Sequence, residues 1–290
     1  MATPREIRRR IRSVRNISQI TRAMEMVAAS KMRRAQQQVV ATRPYAQRIR
    51  AMIGDLSALG KEEQAQFPLL VHRPVKRSML ILITADKGLS GSFNTNVIRQ
   101  SMRFMTNERP EGVENIDMIA VGRRGRDFYT RYGKTLVADF PQKGDAPSFE
   151  SIRPMVQIAV SEFINGNVDA VFVAYTRFIN TLHQTPEIQQ ILPIEAPEGS
   201  GDITDYIFEP SPSAVLEALL PRFVEVQIYQ ALLESIASQF SAQMVAMRNA
   251  TDNAHDLVRD LTLSYNRVRQ AQITREVSEI AAGAAAMSRR

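Results

Sequence analysis

The fold is decided by residues 222–282, which read RFVEVQIYQALLESIASQFSAQMVAMRNATDNAHDLVRDLTLSYNRVRQAQITREVSEIAA and contain neither glycine nor proline. Apolar residues recur along this stretch at the spacing of one face of an α-helix. They are Phe223, Ile228, Leu232, Ile236, Phe240, Met244, Met247, Ala254, Leu257, Leu261, Tyr265 and Val268. Pro212 suits a helix start and Pro221 a kink. A single helix from 222 to 287 would be roughly 100 Å long.

A second helical stretch lies at the other end of the chain, where residues 5–43 also lack glycine and proline. Its apolar residues are Ile7, Ile11, Val14, Ile17, Ile20, Met24, Val27, Ala28 and Met32. Thr3-Pro4 is a good helix start, and Gly54 and Gly60 mark the end. The helix would be roughly 80 Å long. Isolated helices are marginal in water, so we predict that the two pack as an antiparallel coiled coil.

The middle of the chain has a different period. Short apolar runs at 78–84, 116–122, 136–140, 168–178 and 187–194 read as five strands, and helical patterns at 95–107, 123–132 and 149–165 separate them. Such alternation is typical of a parallel sheet covered on both faces. We therefore predict an α/β fold with long helices. It consists of an N-terminal coiled-coil helix (1–59), a central Rossmann-like domain of about five mostly parallel strands (76–210) and a C-terminal coiled-coil helix (211–290).

The formal charge of +7 is concentrated at the N-terminus, because residues 1–50 carry thirteen basic and two acidic residues. Such a segment favours an acidic partner, and nucleic acid, anionic lipid and an acidic protein all remain possible partners. It also imitates a mitochondrial presequence, but the helical pattern runs far past presequence length. No stretch approaches the ~20 apolar residues that cross a bilayer, so any membrane association would go through a partner.

The residues offer no catalytic, cofactor or metal site. DKGLSGSFN at 86–94 sits between a strand and a helix, where phosphate loops lie, but its lysine precedes the first glycine and no GxxxxGK[ST] or GxGxxG is present. We interpret it as a structural turn. His72, His183 and His255 have no metal-ligand spacing, and His255 reads as a solvated surface histidine. The chain has no cysteine, which excludes disulfides and thiolate ligands.

Residues 280–287, IAAGAAAM, are small and uncharged. A helix end of this composition would be poorly soluble if it stood free, and it indicates a close-fitting apolar socket.

Four motifs, in order, resemble the gamma subunit family of F-type ATP synthases. They are ISQITRAMEMVAASKMRRAQ at 17–36, TADKGLSGSFN at 84–94, ATDNA at 250–254 and ITREVSEIAAGAAAM at 273–287. The resemblance covers essentially the whole chain. It implies a non-catalytic rotary shaft that couples ion flow through a membrane rotor to ATP synthesis or hydrolysis on other subunits.

The resemblance also implies the partners. The coiled coil would stand inside a ring of alternating alpha and beta subunits, and the central domain would meet the epsilon subunit and the membrane c-ring. No cofactor or nucleic acid is implied, and the membrane would be reached only through the c-ring. The expected location is the cytoplasmic face of a bacterial plasma membrane, as a peripheral protein.

Contact residues are carried over motif by motif. Met24 matches a methionine that faces beta, and Gln270, Thr274 and Glu276 match a polar group at the beta contact. Arg269 joins them by proximity. The remaining expected contacts are Arg8 and Arg9 in the basic segment and Met287 at the tip. Two positions depart from the family pattern: Gln243 stands where an arginine is frequent, and Ser90 where a cysteine is frequent.

Overall fold

The computed structural model of the chain describes residues 3–57, 66–110, 112–134, 136–142, 144–145, 147–195, 209 and 211–287. These form two compact units. Residues 1–27 and 244–290 make one, here called the coil unit, and residues 28–243 make the other, here called the sheet unit. The domain boundaries predicted at 59 and 210 lie outside the described residues.

The two predicted long helices are present. Helix α1 spans Pro4–Ser57 and helix α5 spans Pro212–Met287, with Pro44 and Pro221 inside them. The start of α1 is capped reciprocally, because the Thr3 N–H donates to the Glu6 carboxylate at 2.9 Å and the Glu6 N–H donates to the Thr3 hydroxyl at 3.4 Å. This is a capping box, which satisfies two N–H groups that a helix start would leave free.

In the coil unit the two helices run antiparallel. As numbering rises along α1 through Arg8, Ser18, Thr21 and Glu25, the hydrogen-bonded partners on α5 fall through Tyr265, His255, Thr251 and Arg248. The residues in the seam are spaced alternately by four and three. On α1 they are Ile7, Ile11, Val14, Ser18 and Thr21, and on α5 they are Met247, Thr251, Ala254, Val258, Leu261, Tyr265 and Val268. This is the seven-residue period of a coiled coil.

The predicted apolar stripe is wrong at several positions. Ile17, Ile20 and Val27 are 49%, 60% and 54% exposed, and Leu257 on α5 is 48% exposed. A period of 3.5 residues brings the neighbouring Ser18 into the seam instead. The prediction follows hydrophobicity, whereas the helices follow the seven-residue period and place Ser18 and Thr21, with their hydrogen-bond partners, in the seam.

The sheet unit is built on a five-stranded sheet in the order β3-β2-β1-β4-β5. The strands are β1 (Arg77–Ile83), β2 (Asn115–Val121), β3 (Leu136–Phe140), β4 (Ala170–Phe178) and β5 (Gln184–Leu192). All pairs are parallel except β4 with β5, which is antiparallel. The shorter helices are α2 (Phe93–Arg103), followed by a π-turn at Phe104–Glu108, then α3 (Arg123–Arg131) and α4 (Arg153–Ile164).

Both faces of this sheet are covered. Leu80 and Leu82 of β1 pack with Val97 of α2 and Tyr129 of α3 in one core cluster. The alternate residues of β1, such as Ile81, are equally buried. Strands buried on both sides read as continuous apolar runs, which is how the sequence displayed β1 and β4.

Candidate partner interface

The loop after β1 has the position of a phosphate loop but uses its polar groups on its own chain. The Asp86 carboxylate accepts the backbone N–H groups of Arg123 at 2.9 Å and of Gln142 at 3.3 Å. The Asn94 side chain accepts the Ala85 N–H at 2.9 Å. A carboxylate at this point repels phosphate. The geometry therefore supports the interpretation of DKGLSGSFN as a structural turn.

Helix α5 lies at the edge of the sheet where ligands bind in this class of fold. That place is the carboxyl edge between β1 and β4, where the strand order reverses. The Ser238 hydroxyl donates to the Thr176 carbonyl at 3.0 Å, and the Ser241 hydroxyl donates to the Thr181 carbonyl at 2.7 Å. Both acceptors belong to the carboxyl end of β4 and the turn after it. The chain's own helix thus stands where a bound nucleotide would lie.

A polar layer crosses the seam of the coil unit. The Thr21 and Thr251 hydroxyl oxygens are 2.7 Å apart, and the Ser18 hydroxyl is 3.3 Å from the His255 Nε2. The Arg248 guanidinium donates to the Glu25 carboxylate at 2.9 Å beside it. Sequence reasoning missed this layer, although the spacing of Ser18 and Thr21 from Ile11 and Val14 carried the signal. His255 is exposed, as predicted, but it also contacts α1.

Two of the predicted contact residues, Arg8 and Arg269, come together around Tyr265 near the start of α1. The Arg8 guanidinium donates to the Tyr265 hydroxyl and lies 5.3 Å from the centre of its ring. Arg269 lies 6.0 Å from the same ring centre. Cation–π contacts of this kind hold guanidinium groups in place. Arg8 and Arg269 therefore form one basic cluster around Tyr265. The sequence analysis did not predict that Tyr265 lies between these two arginines.

The other predicted contact residues lie on the surface of the helices, and all but Met24 are exposed. Arg9, Gln270, Thr274 and Glu276 are exposed, Met287 is 83% exposed, and Met24 is half-buried. At 100° per residue, Arg269 and Glu276 lie on one face of α5, whereas Gln270 and Thr274 lie on another. The Glu276 carboxylate accepts a hydrogen bond from the Gln272 amide at 2.8 Å. The structure thus divides the predicted polar group between two faces.

A buried carboxyl group was also missed. Glu234 of α5 is only 7% exposed, and its Oε2 has no hydrogen-bond partner among the described residues. Burial raises the pKa of Glu234, against the opposing effects of a Gln230 hydrogen bond and of Arg177 and Arg43 nearby. Burial, with Glu234 and Glu187 nearby, also raises the pKa of Tyr175. Periodicity could not identify this site, because the groups come from α1, from the β4–β5 hairpin and from α5.

Within the described ranges, none of the helices combines the length and apolar character needed to cross a membrane. The same residues contain no cluster of histidine, aspartate and glutamate that could hold a metal ion.

These features define a coiled-coil protein with an α/β domain. Its exposed helical surfaces are available for contact with partner proteins. A family model described as ATP synthase matches residues 3–287. The ATP synthase gamma chain of Roseiflexus castenholzii is 53% identical over 289 residues, which cover 99% of both chains. That of Chloroflexus aurantiacus is 52% identical over 290 residues, covering 99% of this chain and 100% of the relative. The chain belongs to the ATP synthase gamma chain family.

Solved structures share the fold. A chain of the Euglena gracilis mitochondrial ATP synthase (OSCP/F1/c-ring, rotational state 3) matches with a TM-score of 0.67 and 20% identity, over 98% of this chain and 94% of that one. A chain from the rotor of the same enzyme in rotational state 1 matches with a TM-score of 0.65 and 20% identity, over 93% of this chain and 98% of that one. At this identity the likeness concerns the fold.

Proposed function

We propose that this chain is the central rotary shaft of an F-type ATP synthase. It catalyses nothing itself. It couples ion flow through a membrane rotor to ATP synthesis or hydrolysis by imposing different conformations on the beta subunits of an alpha/beta ring. The observation that carries the proposal is the end of α5, where every described side chain from Arg269 to Ala284, and Met287, is exposed in the isolated chain.

The two contact faces of α5 fit a shaft inside a ring. A shaft touches subunits on all sides, so it needs contacts distributed around its circumference. Arg269 and Glu276 on one face, and Gln270 and Thr274 on another, supply them. Met24 and Val27 add apolar contact from α1. A shaft that presents a different face to each beta subunit biases each to a different state, which is a coupling between sites.

The uncharged end of α5 fits a bearing. Ile280 is 72% exposed, and a Cβ added at Gly283 would meet no atom within 4 Å. Exposed apolar surface of this kind is stable only when a partner covers it. Small residues without charges or directional hydrogen bonds allow rotation against an apolar sleeve, and we assign residues 280–287, with Met287, to that contact.

The remaining partners follow from the same assignment. The central domain (76–210) meets the epsilon subunit and the c-ring, and the terminal helices (1–59 and 211–290) form the shaft. The exposed arginines of α1, Arg8 and Arg9 among them, meet acidic surfaces of beta or polar loops of the c-ring. The chain reaches the cytoplasmic face of a bacterial plasma membrane only through the c-ring, and it binds no nucleic acid.

The proposal is tested by co-expressing the tagged chain with alpha and beta subunits of a bacterial relative. We expect one copy of the chain to purify with each alpha/beta ring. Purified chain alone should show no ATP binding by calorimetry and no salt-sensitive DNA binding. Failure to join the ring, together with DNA binding that weakens with salt, would instead support a nucleic-acid-binding coiled-coil protein.

A further inference from the structure

The contact between α5 and the carboxyl edge of the sheet includes directional hydrogen bonds from buried side chains. Ser238 and Ser241 are both fully buried, and each donates its hydroxyl to a carbonyl of the sheet domain, by which we mean strands β1–β5 with helices α2–α4 and their connecting loops. The Gln184 amide donates to the Ser241 hydroxyl at 3.3 Å. Apolar packing is non-directional, whereas hydrogen bonds weaken steeply when their angle changes. These bonds therefore resist rotation of α5 about its own axis.

The same part of α5 is also held from the other side of the crevice. The Gln142 amide donates to the Gln239 side chain at 3.0 Å, while the Gln142 backbone N–H donates to the Asp86 carboxylate in the loop after β1. Attachment on the β4 side and on the β1 side gives two separated points. Two points on either side of a helix oppose rotation better than one.

Helix α1 is tied to the same place. The Lys31 ammonium lies 2.7 Å from the Asp145 carboxylate and 5.5 Å from the ring centre of Phe240, which is 4% exposed. Lys31 thus connects α1, a loop of the sheet domain and α5. Both long helices are fixed to the sheet domain within one small region.

We propose that this region is the joint through which torque passes between the sheet domain and the two long helices, with Lys31, Ser238, Gln239 and Ser241 as its positioning residues. The crevice at the carboxyl edge between β1 and β4, which holds a ligand in related folds, is filled here by helix α5. This inference rests on the proposed rotary function, because a joint matters only if torque is transmitted.

The test uses assembled ATP synthase in vesicles and measures ions pumped per ATP hydrolysed. Two variants loosen the joint: the double variant Ser238→Ala/Ser241→Ala removes both hydroxyls, and Lys31→Glu opposes Asp145. We expect each to lower the pumping-to-hydrolysis ratio by about two-fold or more. The exchange Lys31→Glu/Asp145→Lys should restore the ratio. Asn249→Ala, an exposed position on the same helix, is the matched control.

The outcomes separate the joint from the proposed function. A normal ratio in complexes that contain the loosened chain at full occupancy overturns the joint, as does an equal fall in Asn249→Ala. A loss of ratio that the charge exchange does not restore also overturns the role of Lys31. If the unaltered chain assembles but the vesicles hydrolyse ATP without pumping, the rotary function itself fails.

Discussion

At the scale of single residues, the predicted contacts are set by exposure and by helical phase. Arg269 and Glu276 are exposed and share a face of α5, and the Glu276 carboxylate accepts a hydrogen bond from Gln272 on the same helix. Exposed charged pairs contribute only ~0–1 kcal/mol to stability. The family motif predicts Gln270, Thr274 and Glu276 as contacts, and the continuous helix places Gln270 and Thr274 on a different face from Glu276.

Glu276→Lys should therefore affect coupling and leave folding intact. We expect the free variant to keep its circular dichroism spectrum, and the assembled complex to lose about five-fold in turnover, as for a lost contact of about 1 kcal/mol. Glu276→Gln, which removes the charge without reversing it, should lose less. Unchanged hydrolysis and pumping in Glu276→Lys would remove this residue from the interface.

Glu234 predicts a pH dependence of stability. Because burial raises the pKa of its carboxyl group above the ordinary value of 4.5, the folded chain holds this proton more tightly than the unfolded chain. Its contribution to stability is therefore largest below 4.5 and is lost as pH rises through the raised pKa. Glu234→Gln should melt at a higher temperature than the unaltered chain at neutral pH, and the gap should close in acid. Calorimetry of the free chain across pH checks this, and a gap that widens in acid would contradict it.

At the scale of elements, the sequence predicts all five strands, and β3 agrees to the residue at Leu136–Phe140, whereas β5 begins three residues before the predicted start at 187. Buried strands and capped helices are local signals. The antiparallel direction of β5 follows from its short connection to β4 at 179–183, because parallel strands need a much longer crossover. The polar layer at Thr21 and Thr251 depends instead on pairing between segments far apart in the sequence, which composition does not display. The sequence analysis also missed the hydrogen bond from Ser238 of α5 to Thr176 of β4, because these two residues are far apart in the sequence.

The polar layer should behave as a coupled pair. Each hydroxyl also lies within hydrogen-bond distance of a carbonyl on its own helix, that of Ser18 for Thr21 and that of Met247 for Thr251. Because each hydroxyl has one hydrogen, one threonine donates across the seam to the other, and the threonine that accepts donates to its own carbonyl. Thr21→Val or Thr251→Val alone should each destabilise the chain by about 1 kcal/mol, because the hydroxyl that remains loses its hydrogen bond across the seam. The double variant should cost less than the sum. Urea unfolding of the four proteins measures the difference, and strict additivity would show that the hydroxyls do not interact.

The apolar end of α5 should tolerate shortening better than charge. Ala284→Asp would bury an unpaired carboxylate in the proposed bearing, at a cost of several kcal/mol. Deleting residues 285–290 removes contacts without burying a charge. We expect Ala284→Asp to give the lower yield of assembled complex, while both free chains keep their helicity. Assembly of Ala284→Asp at the unaltered yield, or greater damage from the deletion, would contradict the bearing.

At the scale of the whole molecule, we propose that the chain rotates inside the alpha/beta ring. The sequence predicted the architecture because long uninterrupted helices and alternating strands are strong periodic signals. The chain has no cysteine, so a single introduced cysteine gives one attachment point for a probe. Met102 on α2 is 40% exposed and suits that purpose.

The most direct test attaches a bead to Met102→Cys in complexes whose alpha/beta ring is fixed to a surface. With ATP present, we expect the bead to rotate in one direction, in steps of one third of a turn, one for each beta subunit. A chain that is bound to the ring at full occupancy and stays still while the ring hydrolyses ATP would contradict the central claim.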